Sequence, residues 1–133
     1  METQYRLSQT VRGQGPVKTF EADVMVEVIE KKDVYLRYKE NLDEHELDVV
    51  MRIGDGDVRL SRRGIIQMNF HFIPGVYTDT FYESPAGRHH FRLLTKQLKV
   101  EASRVEIEYE LYENDENIGH YLYIIEKSES YGS

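Results

Sequence analysis

Two charged residues stand where strands should carry apolar side chains. In residues 34–40 the alternating set Val34, Leu36, Tyr38 ends in Glu40, and the set Val58, Leu60 ends in Arg62. Strand side chains alternate between faces with period 2, so both charges are expected to share one interior with the apolar members of their rows. A carboxylate and a guanidinium need each other there, because an unpaired buried charge is strongly destabilising. Two uses are open to such a pair. An arginine fork binds a carboxylate or phosphate bidentately, which would make this the polar end of a ligand cavity walled by aliphatic and aromatic groups. The same pair, mutually neutralised, would instead close a barrel from within. A third reading makes Glu40 a general base, but an adjacent Arg62 would engage that carboxylate as an ion pair, so it ranks last.

Other residues join this pair through the same alternation. Tyr38, Phe70, Thr95 and Tyr109 all fall on rows read as inward, while Tyr82 sits on a strand that can be phased with Val76, Thr78 and Thr80 or with Tyr77, Asp79 and Phe81. The candidate ligand-binding set is therefore Arg62, Glu40, Tyr38, Phe70, Tyr82, Thr95 and Tyr109, with Arg62 as anionic anchor and Tyr38, Phe70 and Tyr109 as walls. No residue is assigned a catalytic role, no metal site is assigned, and no cofactor is expected.

The remaining reactive side chains favour ordinary roles. His89 and His90 are adjacent on a predicted strand and point to opposite faces, which denies them a shared ion. His45 lies among Asp43, Glu44, Glu46 and Asp48, and Gly54-Asp55-Gly56-Asp57 is a second acidic turn, but neither has the ordered oxygen spacing of a calcium loop. His71 alternates outward with Asn69 and Gln67. No Gly-x-Ser-x-Gly elbow occurs, and Gly13-Gln14-Gly15 leads into Pro16-Val17, a strand entry, not the helix a phosphate loop requires.

The elements that must position these residues are strands almost throughout. Phe20, Ala22, Val24, Val26 and Val28 alternate with Glu21, Asp23, Met25 and Glu27 before Lys31-Lys32-Asp33 turns the chain into residues 34–40, and residues 41–43 read as a loop. Leu47, Val49, Met51 and Ile53 form the next inward row, and Asp55-Gly56 is a hairpin signal before Val58, Leu60 and Arg62. Ile66, Met68, Phe70 and Phe72 follow, then a strand near residues 76–83, a Ser84-Pro85-Ala86-Gly87 turn, and Phe91, Leu93, Thr95. A separate short segment is predicted near residues 98–101. Val105, Ile107, Tyr109 and Leu111 lead through a loop over residues 113–117 to a last strand at 121–126, and residues 127–133 read as a frayed tail. About eight to ten consecutive strands with short turns predict an all-β, antiparallel up-and-down barrel; a two-sheet sandwich is the competitor.

Composition bounds the partners. The chain has 133 residues, enough for one domain. Twenty-four acidic against seventeen basic residues give a net charge of −7, which repels nucleic acid backbones and anionic membrane surfaces. Arg59, Arg62 and Arg63 are the densest basic cluster, but they lie on one strand and point to both faces. There is no cysteine, so disulfides, thiolate catalysis and cysteine-bound metals are excluded. No leader pattern or apolar span of membrane length is present, so cytoplasmic residence is expected. Neither a nucleic acid nor a membrane partner is expected; a small-molecule ligand, a protein partner or a homodimer remains open.

Tyr38-Lys39-Glu40, Leu60-Ser61-Arg62-Arg63-Gly64, Phe70, Tyr82-Glu83-Ser84-Pro85-Ala86-Gly87, Thr95 and Glu108-Tyr109-Glu110-Leu111 resemble, in order and spacing, the pattern of the DUF1934 family. The likeness runs from about Tyr38 to Ile125. It implies a calycin-like, lipocalin-type β-barrel of a bacterial cytoplasm, in a family without an assigned biochemical activity. The family pattern tends to Thr-Pro-Tyr-Gly where this chain has Ser84-Pro85-Ala86-Gly87, which counts against placing a site in that turn.

Overall fold

Ten strands close on themselves in a computed structural model that describes residues 2–13, 15–42 and 44–128. They are β1 (Glu2–Arg12), β2 (Lys18–Glu30), β3 (Val34–Leu42), β4 (His45–Ile53), β5 (Val58–Arg63), β6 (Gln67–Phe72), β7 (Tyr77–Ser84), β8 (Gly87–Glu101), β9 (Arg104–Glu113) and β10 (Glu116–Lys127). Each pairs antiparallel with its sequence neighbour, and β1 also pairs with β10, so the meander forms a closed barrel. The expected barrel is the observed fold, and the sandwich is not. Closure follows from the strand count, since a long open meander would leave two exposed edges.

Alternation sets the interior. Leu36, Met51, Leu60 and Phe72 on one side meet Leu93, Ile107, Tyr123 and Ile125 on the other, all buried in one apolar cluster. The outward rows are charged and carry cross-strand ion pairs, such as Arg6 with Glu21 and Asp23 at 2.6 and 3.1 Å. Exposed pairs of this kind contribute little individually, so the buried rows hold the barrel together.

Turns act where backbone geometry demands them. Gly56 has φ +86° in the β4–β5 hairpin, in the left-handed region that glycine enters without penalty. Asn114 and Asp115 both have positive φ between the paired Glu113 and Glu116, so the predicted loop is a tight turn of the type that follows strand twist.

Several boundaries differ from the sequence reading. β1 was not anticipated as a strand: its inward row, Tyr5, Leu7, Gln9 and Val11, has a polar member and few apolar ones. Asn41 and Leu42 continue β3, and Asp43 lies outside the described residues. The segment at 98–101 is not separate but completes β8, which passes through a bulge between Thr95 and Gln97. β10 begins at Glu116, with a bulge between Asn117 and Gly119. Lys127 belongs to β10 and pairs with Tyr5; the predicted tail beyond Ser128 lies outside the described residues.

Candidate functional site

Register places the two charges together. Tyr38 of β3 pairs with Val49 of β4, and Val49 with Arg62 of β5, so these three form one row across the wall; Glu40 lies two residues further along β3. Arg62 reaches diagonally over β4, and its Nε donates to Glu40 Oε1 at 2.8 Å. The other carboxylate oxygen accepts from the Tyr123 hydroxyl of β10 at 2.7 Å, across the lumen. The Tyr38 and Tyr123 hydroxyls are 2.5 Å apart. Because Tyr123 has one proton and gives it to Glu40, Tyr38 is the donor in that contact. The result is a directed chain, Tyr38 to Tyr123 to Glu40, closed by Arg62.

The chain is enclosed. The Arg62 side chain is 8% exposed and that of Glu40 15%. The guanidinium carbon lies 5.5 Å from the Tyr123 ring centre and 5.8 Å from that of Phe70, distances at which aromatic faces favour a cation. Burial disfavours the Arg62 charge, and Glu40 with the neighbouring tyrosines more than offsets it, so the guanidinium stays protonated above its ordinary range. Burial also drives the Tyr38, Tyr109 and Tyr123 hydroxyls above the ordinary tyrosine value, keeping them neutral donors.

Aromatic groups extend the cluster inward. Tyr109 meets Phe70 edge-on at 5.8 Å, lies 5.0 Å from Phe72, and stacks on Tyr121 at 5.0 Å with a 13° interplanar angle. Thr95 pairs in register with Tyr109 and is fully buried, but among the described residues its hydroxyl has no hydrogen-bond partner, Arg62 and Glu40 included. Tyr82 takes the inward phase with Thr78 and Thr80, yet is half-buried and faces His89 at 6.3 Å. Of the seven candidates named from the sequence, Arg62, Glu40, Tyr38, Phe70 and Tyr109 therefore converge, while Thr95 and Tyr82 stand apart. Tyr123 was missed; its inward row with Tyr121 and Ile125 was the available signal.

The cluster opens on a groove of about 1570 Å³, which Tyr38, Glu40 and Arg62 line together with Phe20 and Leu7. The histidines lie elsewhere. His71, expected at the surface, is half-buried on the outer wall and bonded to Asp57 at 2.7 Å, and His90 pairs with Asp79 at 2.8 Å. Among the described residues no three metal-ligating side chains cluster.

Closed meander and buried ionic chain together define a β-barrel with a polar interior at one end. The chain belongs to the family described as a domain of unknown function, DUF1934, whose model matches residues 5–125. It is 27% identical over 92 residues to the uncharacterized beta-barrel protein YwiB of Bacillus subtilis (strain 168), an alignment covering 66% of this chain and 65% of that protein's length. The crystal structure of the ywiB protein from Bacillus subtilis superposes with a TM-score of 0.71 over 96% of this chain and 94% of that one, at 19% identity. The fold is thus shared with a solved barrel, and neither the family description nor the relative's name states an activity.

Proposed function

We propose that the protein binds a small acidic or amphipathic molecule at the polar end of its barrel, with Arg62 as the anchor for a carboxylate or phosphate. One observation carries this reading. Among the described residues Arg62 makes a single hydrogen bond, from Nε, so its two terminal amino groups are unspent on protein although the side chain is buried. A guanidinium has five donors, and among the described residues the buried side-chain atoms without a partner are the Thr80 and Thr95 hydroxyls and not the Arg62 nitrogens, so the spare donors of Arg62 face the groove it lines, where an anionic guest can meet them. Leu7, Leu47, Val49 and Met68 supply apolar wall to the groove, whereas Phe70 and Tyr109, expected as walls, are buried in the core and do not line it; Tyr38 and Tyr123 hold Glu40 against the guanidinium. Residence in the cytoplasm and the calycin-like relationship belong to this same reading. Among the described residues no helix is long and apolar enough to cross a membrane, and outward Glu106, Glu108 and Glu110 do not make the apolar outer band of a membrane barrel.

A second reading rests on Glu40. Both of its oxygens are engaged, by Arg62 and by Tyr123, as expected of an architectural closure in a protein whose function lies on an outer surface. A thermal-unfolding screen against small carboxylates and phosphates separates the two. A guest at a hundredfold excess over its Kd stabilises the barrel by about 2.7 kcal/mol. Binding to the wild type, lost in a folded Arg62→Met variant, supports the anchor. A screen without stabilisation, or stabilisation that survives Arg62→Met, favours the architectural reading.

A further inference from the structure

Arg62 is already shared. Its Nε donates to Glu40 Oε1 at 2.8 Å, and both side chains are largely buried, so the guanidinium that would anchor a guest comes with a carboxylate attached. The pair carries no net charge. Among the described residues the other titratable groups that act on it are Tyr38, Tyr109 and Tyr123, and burial keeps all three hydroxyls neutral. Farther out, acidic and basic residues line the groove in equal number, so its rim adds no cationic field for an anion.

The charge of a head group therefore decides how well it fits. Oxygens bonded to the two terminal amino groups of a guanidinium lie within about 4–6 Å of a carboxylate bonded to its Nε, the range over which charges act strongly on each other. A singly charged head group leaves Arg62, Glu40 and the guest with one net negative charge. A doubly charged one leaves two, at a site where burial limits screening by solvent. Glu40 is not free to swing aside, because Tyr123 holds its second oxygen at 2.7 Å and Tyr38 in turn holds Tyr123. Beyond the pair, Leu7, Leu47, Val49 and Met68 offer apolar wall to the rest of a guest.

We propose, resting on Arg62 as the anchor, that Glu40 is the specificity-determining residue of this site: it admits a singly charged head group and rejects a doubly charged one, so the guest is a monocarboxylate with an apolar body and not a phosphate monoester.

Calorimetric titration of the wild-type protein with octanoate, octane sulfonate and octyl phosphate, at about pH 8 and about pH 5.5, tests this. A phosphate monoester has its second pKa near about 6, so it is mostly dianionic at the higher pH and mostly monoanionic at the lower, while the other two keep one charge throughout. Among the described residues no histidine lines the groove, so the change in pH acts mainly on the guest. Octanoate and octane sulfonate are expected to bind with similar affinity at both pH values. Octyl phosphate binds at least about tenfold more weakly than either at the higher pH, a difference of about 1.4 kcal/mol, and recovers at the lower. Glu40→Gln removes the repelling charge and, where it folds, closes that gap; the wild-type profile decides without it. Octyl phosphate as tight as octanoate at the higher pH, with both lost in a folded Arg62→Met variant, would overturn the selection by Glu40 and leave the anchor standing. A sulfonate as weak as the phosphate, a phosphate that stays weak at the lower pH, or a folded Glu40→Gln that keeps the gap would overturn the selection too. Binding of none of the three would overturn anchor and selection together.

Discussion

Glu40 is held from two sides, and its two partners respond differently to substitution. Glu40→Gln leaves the Arg62 charge buried against a neutral amide, and removing one member of a buried pair costs about 3–5 kcal/mol. Glu40→Leu combined with Arg62→Met removes both charges and recovers most of that loss, since apolar residues of similar volume replace buried pairs at little cost. Urea unfolding of the single and double variants measures the coupling; a double variant as unstable as Glu40→Gln would show that the two side chains act separately. The tyrosines are likewise unequal. Tyr123→Phe strips a donor from Glu40 and an acceptor from Tyr38 together, whereas Tyr38→Phe removes only a donor whose acceptor keeps its other bond. The expected losses are about 2–3 kcal/mol for Tyr123→Phe and about 1 kcal/mol for Tyr38→Phe. Equal losses in the same unfolding experiment would contradict the direction of the hydrogen-bond chain.

At the scale of the strand, the bulge in β10 has a specific purpose. A Cβ on Gly119 would lie 2.8–2.9 Å from the Tyr121 ring and hydroxyl, so glycine lets Tyr121 fold back and stack on Tyr109. Gly119→Ala is expected to push that ring away and cost about 1–3 kcal/mol, as overpacking does, with loss of the near-ultraviolet circular dichroism of the stacked pair. An unchanged aromatic spectrum would mean that the ring accommodates the methyl in place. No sequence pattern marked this glycine, because its constraint comes from a side chain two residues on and not from a turn. Alternation did mark β3, β4, β5, β6 and β9, where apolar residues recur at every second position, and with them the convergence of Glu40 and Arg62. It failed for β1, whose inward row includes Gln9, and for Tyr123, whose contact with Glu40 spans the lumen between β10 and β3. Pairing across a lumen depends on closure and shear, which period 2 does not encode. The bulge in β8 hid that strand's continuity for a related reason: one extra residue near Lys96 shifts the phase, so Thr95 and Leu98 share a face while the simple alternation breaks.

For the molecule as a whole, the buried tyrosines tie stability to alkaline pH. Tyr38, Tyr109 and Tyr123 lie above their ordinary value of 10.0, chiefly through burial, so the folded state keeps protons that the unfolded chain releases. A group whose pKa is raised on folding contributes its full stabilisation below its unfolded value and loses it as pH climbs through the folded one. Stability is therefore level in this respect up to about pH 10 and falls above it, by about 1.4 kcal/mol per pH unit for each of the three tyrosines, or about 4 kcal/mol per unit together. The net charge of −7 works in the same direction, because lysines also neutralise in this range and self-repulsion grows. Salt distinguishes the two causes. Repulsion among surface charges is screened within about 10 Å at 0.1 M salt, whereas the preference of a buried hydroxyl for its neutral form is not. Denaturant titrations at stepped pH, read by tyrosinate absorbance and circular dichroism together, should show the buried tyrosines ionising only as the barrel unfolds. The slope should persist at high salt and shrink by about a third in Tyr38→Phe. A slope abolished by salt would assign alkaline unfolding to surface repulsion, and tyrosinate appearing before loss of the barrel would mean that solvent reaches the polar end of the lumen without opening it.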